Sequence, residues 1–248
     1  MDTGPVIRYL NSVIIASIAI LNEVEMNRYE TAVSRSVGSG IEINSVLRNT
    51  YMLLSATLLF SALTAGIAMV MNMPPLGPLL TIGGYFLLLF LTSRFQNSAL
   101  GLVFVFALTG FMGLTLGPIL GFYIANLSNG GQLVATALGG TGAIFAGLSA
   151  YVLITRKDFS FMGGMLMAGI LVAFIAALVT LIWPMPALSL AVSAMFILLM
   201  SGLILFQTSA IVHGGETNYI SATVTLYVSI YNLFLSLLHI FGIFGGDE

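Results

Sequence analysis

Residues 161–183 read FMGGMLMAGILVAFIAALVTLIW, without one charged side chain, and Pro184-Met185-Pro186 closes the run. A helix that crosses the hydrocarbon of a bilayer needs about 20 mostly apolar residues, so this stretch is long enough to span. Working outward, the same pattern recurs at Leu47–Met71, Leu76–Thr92, Ala99–Ile124, Gln132–Thr155, Leu188–Val212 and Ile220–Phe244. Seven spans are therefore expected, the second the shortest. Prolines fall mostly at their ends (Pro74, Pro75, Pro78, Pro184, Pro186), and Pro118 lies inside the third. A membrane helix tolerates that because neighbours can satisfy the freed carbonyl.

Composition agrees. Of 248 residues 58% are hydrophobic and 6% charged, with a mean hydropathy of +1.07. Soluble domains carry about 25% charged residues. The bilayer must supply much of the burial, which makes membrane lipids obligatory partners. A net charge of −2 excludes nucleic acid as a partner. The chain has no cysteine, hence no disulfide, thiolate metal site or cysteine nucleophile.

The cations orient the chain. Arg8, Arg28, Arg35 and Arg48 precede or open the first span, Arg94 follows the second, and Arg156 and Lys157 follow the fourth. The alternate loops, at 72–75, 125–131 and 184–186, carry none, and the tail ends in Asp247 and Glu248. The positive-inside rule puts the N-terminus in the cytoplasm and, with an odd number of spans, the C-terminus in the periplasm.

The domain division expected is a cytoplasmic tail over 1–46 and a seven-span bundle over 47–248. Residues 22–46 are polar, as in a solvated tail. Residues 6–21 are apolar but interrupted by Arg8 and Asn11. They read either as a short interfacial helix or as residues ahead of a true start at Met26.

The catalytic inventory is thin. HExxH, a P-loop, a dinucleotide fingerprint and a paired intramembrane carboxylate are all missing, and Asp158 is the lone acid between the first and sixth spans. No catalytic residue, metal or cofactor is expected. A serine–histidine pair is not expected either, because His213 and His239 lie toward opposite faces and neither shows a convincing serine partner.

Several motifs carry a resemblance. They are Val46-Leu47-Arg48-Asn49-Thr50-Tyr51, Leu116-Gly117-Pro118-Ile119-Leu120 and Thr155-Arg156-Lys157-Asp158-Phe159-Ser160-Phe161. His213-Gly214-Gly215-Glu216-Thr217-Asn218-Tyr219-Ile220 and Leu226-Tyr227-Val228-Ser229-Ile230-Tyr231-Asn232 complete the set. From Val46 onward the chain resembles the Bax inhibitor family of seven-span membrane proteins. The resemblance implies an all-α bundle of six helices around a central, C-terminal seventh. Its bacterial branch is bound by the membrane-anchored ATP-dependent protease FtsH and tunes membrane protein quality control in the inner membrane. There the cytoplasmic tail is also a handle for degradation. The function expected is non-enzymatic modulation of that protease.

Other members leak calcium through a proton-sharing aspartate pair on helices six and seven. The motif match sets Gln207 and Ser229 at those positions, and neither ionises, so like-charge coupling is impossible. A cation leak with an altered, non-aspartyl gate is the alternative reading. Gln207, Ser229 and Asn232 are the intramembrane polar candidates, expected to act as contacts between helices. Arg94 lies roughly where leak members place an arginine latch. His213, Glu216, Arg156 and Lys157 are candidates for cytoplasmic contact, with the Gly pair after His213 a helix stop. Glycines at 110, 113 and 117, at 139, 140 and 147, and at 163, 164 and 169 are expected to let helices approach closely. Oligomeric state is not legible.

Overall fold

The computed structural model describes residues 45–245. The expected tail lies almost wholly outside the described residues, as do Arg8, Arg28, Arg35, Asp247 and Glu248. Seven helices are long and apolar enough to cross a membrane. They are α1 (Ser45–Val70), α2 (Pro78–Phe95), α3 (Ala99–Asn126), α4 (Gly130–Thr155), α5 (Gly163–Ile182), α6 (Pro186–Val212) and α7 (Tyr219–Gly245). A short 3-10 turn, Ser160–Met162, leads into α5.

Local chemistry sets the ends. Pro78 and Pro186 open α2 and α6, where a missing N–H costs nothing because the first helical N–H groups have no partner within the helix. α2 begins at the third of its prolines, so the run from Leu76 is one residue pair longer than the helix at that end. Pro118 sits inside a continuous α3. Gly214 takes φ 75° after the last turn of α6, and Gly215 N–H donates to Ala210 O at 2.8 Å. This is the glycine stop expected from the motif.

α7 is the inner helix. Half of its apolar window is buried inside the protein, against 6% for α2. It packs on α3, α4 and α6, and its hydroxyls reach α1. α5 stands off from this centre and leans on α6. Its absence from the inner contacts leaves a gap between α2 and α5.

The glycine expectations divide. A Cβ at Gly110, Gly113 or Gly117 of α3 would strike α1, at Phe60, at Ser61 and Thr64, and at Ala65 and Ala68 respectively. Gly163 and Gly169 of α5 face Phe206 and Leu199 of α6. On α4 the expectation fails: Gly139 and Gly147 have nothing within 4 Å, and Gly140 meets only Leu237 at 3.6 Å. Gly164 on α5 is likewise open, so spacing alone did not identify the packed glycines.

Candidate functional site

The polar side of α7 holds the bundle together. Thr223, Tyr227 and Tyr231 recur every four residues, one above another on a helix. Thr223 Oγ1 lies 3.3 Å from Thr50 O of α1. Tyr227 donates to Ser61 Oγ of α1 at 2.6 Å, and its hydroxyl lies 3.3 Å from Thr109 O of α3. Tyr231 Oη lies 3.3 Å from both Thr115 Oγ1 and Met112 O of α3. Water is scarce at this depth, so each hydroxyl must find protein or carry a desolvation cost. Both tyrosines stand in a motif quoted from the sequence, but Ser61, Thr109 and Thr115 were not expected as their partners. The four-residue spacing on α7 was the available signal for the stripe, but nothing local points to partners more than a hundred residues away.

Gln207 and Ser229, the two positions that the resemblance matches to a gate, are buried and uncharged. Gln207 is 5% exposed and Ser229 fully buried. They do not bond each other: Ser229 donates to Thr225 O of its own helix at 2.7 Å, and Gln207 Nε2 has no partner. Thr50 Oγ1, Tyr51 Oη, Ser149 Oγ and Thr208 Oγ1 are unpartnered too. Thr50 and Tyr51 lie just inside the start of α1, while Ser149, Gln207 and Thr208 lie just before the ends of α4 and α6. At 1.5 Å per residue these atoms share one layer, about 6–9 Å inside the same end of the bundle. The layer is made of hydroxyls and one amide, so no carboxylate pair can share a proton there. Asn232 is half-buried, and its Nδ2 donates to Val228 O at 2.8 Å. Arg94 is exposed in the last turn of α2 and meets none of the other candidates.

That end of the bundle also gathers Arg48, Arg94, Arg156 and Lys157 at the ends of α1, α2 and α4. Here His213 does more than offer a surface contact. Its Nε2 lies 3.0 Å from Arg156 O and its Nδ1 2.9 Å from Ser209 O, so the imidazole ties the end of α4 to the end of α6. Ser209, 1% exposed, accepts Phe159 N–H at 2.9 Å and lies 3.3 Å from Lys157 O. Arg156 takes φ 50°, which turns the chain into this clasp. The Lys157 ammonium rests 5.7 Å from the centre of the Tyr151 ring. Next in the loop, the Ser160 N–H donates to Asp158 at 2.8 Å. That bond and then the Ser160 hydroxyl hold the Asp158 carboxyl below the usual carboxylate range, against the opposing effect of desolvation and with a lesser contribution from the nearby His213. Glu216 is turned inward: it accepts Asn218 N–H at 2.8 Å and the Ser221 hydroxyl at 2.9 Å. Asn218 Oδ1 in turn accepts the Ile220 and Ser221 N–H groups and caps α7.

Both histidines do have serine partners, contrary to the reading from sequence. Ser209 Oγ lies 3.3 Å from His213 Nδ1, and Ser193 Oγ lies 2.8 Å from His239 Nδ1. The His239 contact ties α7 to α6. α6 and α7 contain no acid to orient its imidazole, and both His213 nitrogens already face carbonyls. Among the described residues, a nucleophile, base and orienting group are not assembled at either pair. No group of three His, Cys, Asp or Glu able to hold a metal occurs among the described residues.

A bundle of seven helices long and apolar enough to span a membrane, pinned by hydroxyls on an inner seventh helix, defines the class. The profile of the family described as "Inhibitor of apoptosis-promoting Bax1" matches residues 43–246, and the chain belongs to this Bax inhibitor family. The chain is similar to the "Modulator of FtsH protease YccA" of Escherichia coli K12, at 54% identity over 84% of this chain and 94% of that protein. It is 52% identical to the uncharacterized protein PA2604 of Pseudomonas aeruginosa, over 90% of this chain and all of the relative. An uncharacterized membrane protein of Vibrio cholerae is 46% identical over 84% of this chain and 93% of its own length.

Proposed function

We propose that this chain is a non-enzymatic, multi-pass inner-membrane protein that modulates an FtsH-type protease. One observation carries the reading: the 54% identity, over nearly the whole bundle, to a relative named for that role. A relative from a second Escherichia coli strain bears the name "Inner membrane protein YccA". The cation-rich end of the bundle faces the cytoplasm in this reading, with the polar residues 22–46 on the same side as a handle for the protease. The tied α4–α5 loop, with Arg156 and Lys157 exposed, offers a surface of fixed shape on that side.

The test is co-purification from native membranes with the protease, together with the half-life of a membrane substrate when this chain is overproduced. The expected result is capture of the protease and a lengthened half-life; an unchanged half-life with no capture removes the reading. Because neither Gln207 nor Ser229 can ionise, calcium flux into proteoliposomes is expected not to differ between acid and neutral pH. A pH-dependent flux would favour the leak instead. Deleting residues 1–44 is expected to leave the bundle folded and to prolong the protein's own lifetime.

A further inference from the structure

The gap left by α5 is a cavity of about 570 Å³, walled by α2, α3, α5, α6 and α7. Small-molecule sites run about 300–1,000 Å³. A helix roughly 10 Å across would fill this volume with about five residues, so the space does not fit a partner's membrane span. Its lining contains five aromatic rings, Tyr85, Phe86, Phe111, Phe174 and Tyr231, and no charged group. Phe86 of α2 and Phe174 of α5 meet edge to face with centroids 5.7 Å apart, where the wall passes from one helix to the other. That lining rejects an ion, which would lose its hydration without a compensating charge.

The cavity is not uniformly apolar. Tyr231 is held by Thr115 and Met112. Asn232 has Nδ2 bonded to Val228 O, which leaves Oδ1 as an unused acceptor. The Tyr85 hydroxyl, on the same cavity wall, makes no hydrogen bond among the described residues. Asn232 is the middle residue of α7, so this unused pair lies near the bilayer midplane. Polar groups at that depth without partners are costly. One hydroxyl on a ligand can donate to Asn232 and accept from Tyr85, while a planar body packs among the rings.

We infer that this cavity binds a neutral, ring-bearing amphiphile with an apolar chain and one hydroxyl, admitted from the lipid past Phe86 and Phe174. The site goes beyond the protease reading and stands without it.

The experiment uses the full chain in lipid nanodiscs and a diazirine-bearing 4-alkylphenol as photoprobe, with adducts mapped by peptide mass spectrometry. Adducts are expected on α2, α5 and α7 at the cavity, and unlabelled 4-octylphenol competes them away. Its methyl ether, which has no donor, competes roughly 2–10-fold less well. Tyr85→Phe and Asn232→Leu, which nearly keep volume, each weaken 4-octylphenol by a similar factor. Ile170→Phe, which fills the space, abolishes labelling. If Ile170→Phe does not fold, the two volume-keeping variants decide. Labelling spread evenly over the outer faces, equal competition by the methyl ether, or competition by an alkyl trimethylammonium of equal chain length each overturns the proposal. So does protection of the cavity by a hydrophobic helical peptide but not by the phenol.

Discussion

α7 and α2 are both apolar helices of one bundle, yet they are built for different neighbours. α2 shows Leu79, Leu80, Leu87 and Phe90 to its surroundings, and Thr92 is its one buried residue. Its threonine hydroxyls bond backward along their own chain, Thr92 to Leu88 O and Thr81 to Leu76 O. α7 buries Leu226, Tyr227, Leu233 and Leu238 almost completely and sends hydroxyls to α1 and α3. Lipid tails are as apolar as leucine, so burial in itself brings little gain in a membrane. What distinguishes the two helices is close packing and hydrogen bonds to other helices.

The contrast can be broken at several strengths. Leu233→Ala on α7 opens a cavity among fully buried neighbours and is expected to cost about 2–5 kcal/mol. Leu87→Ala on α2, 59% exposed, is expected to stay within about 0.5 kcal/mol. Denaturant titration in mixed micelles measures both, and equal losses would end the distinction. Next in size is Gly113→Val, whose side chain enters the backbone of α1 at Ser61; about 1–3 kcal/mol is expected. Gly139→Val on α4, with open space beside it, should be tolerated in the same assay. Tyr227→Phe removes the bond to Ser61 and should cost about 0.6–1.7 kcal/mol. Thr92→Val on α2 removes only a bond within its own helix, and a cost near zero is expected.

The smallest effect belongs to the loop at Asp158, outside both helices. Its carboxyl is held below the ordinary aspartate value, so its stabilising bond to Ser160 is complete above that ordinary value. It is lost as pH falls through the lower, folded-state value. Asp158→Asn is therefore expected to shift the melting temperature slightly at neutral pH and not at all in strong acid, read by a pH series of melts.

Much of this contrast was legible in part. The spans were readable because length and apolarity act locally, and the glycine stop after His213 because backbone conformation is local too. The inner place of α7 came from the family resemblance, since its leucine and isoleucine content is like that of its neighbours. The packed glycines of α3 and the idle ones of α4 have similar spacings, and only the facing helix separates them. Ser193 and His239 were missed although depth could be counted: one lies about 10 Å inside the start of α6, the other about 9 Å inside the end of α7. The cavity at Asn232 was unreadable, because it exists only through where α5 does not pack.

The innermost helix is also the last of the seven to leave the ribosome. Until Tyr227 arrives, Ser61 and Thr109 wait in lipid without their partner, and the earlier spans surround an unfilled centre. A chain cut before α7 is thus a membrane protein with its polar seams open, the sort of incomplete product that a quality-control protease exists to remove.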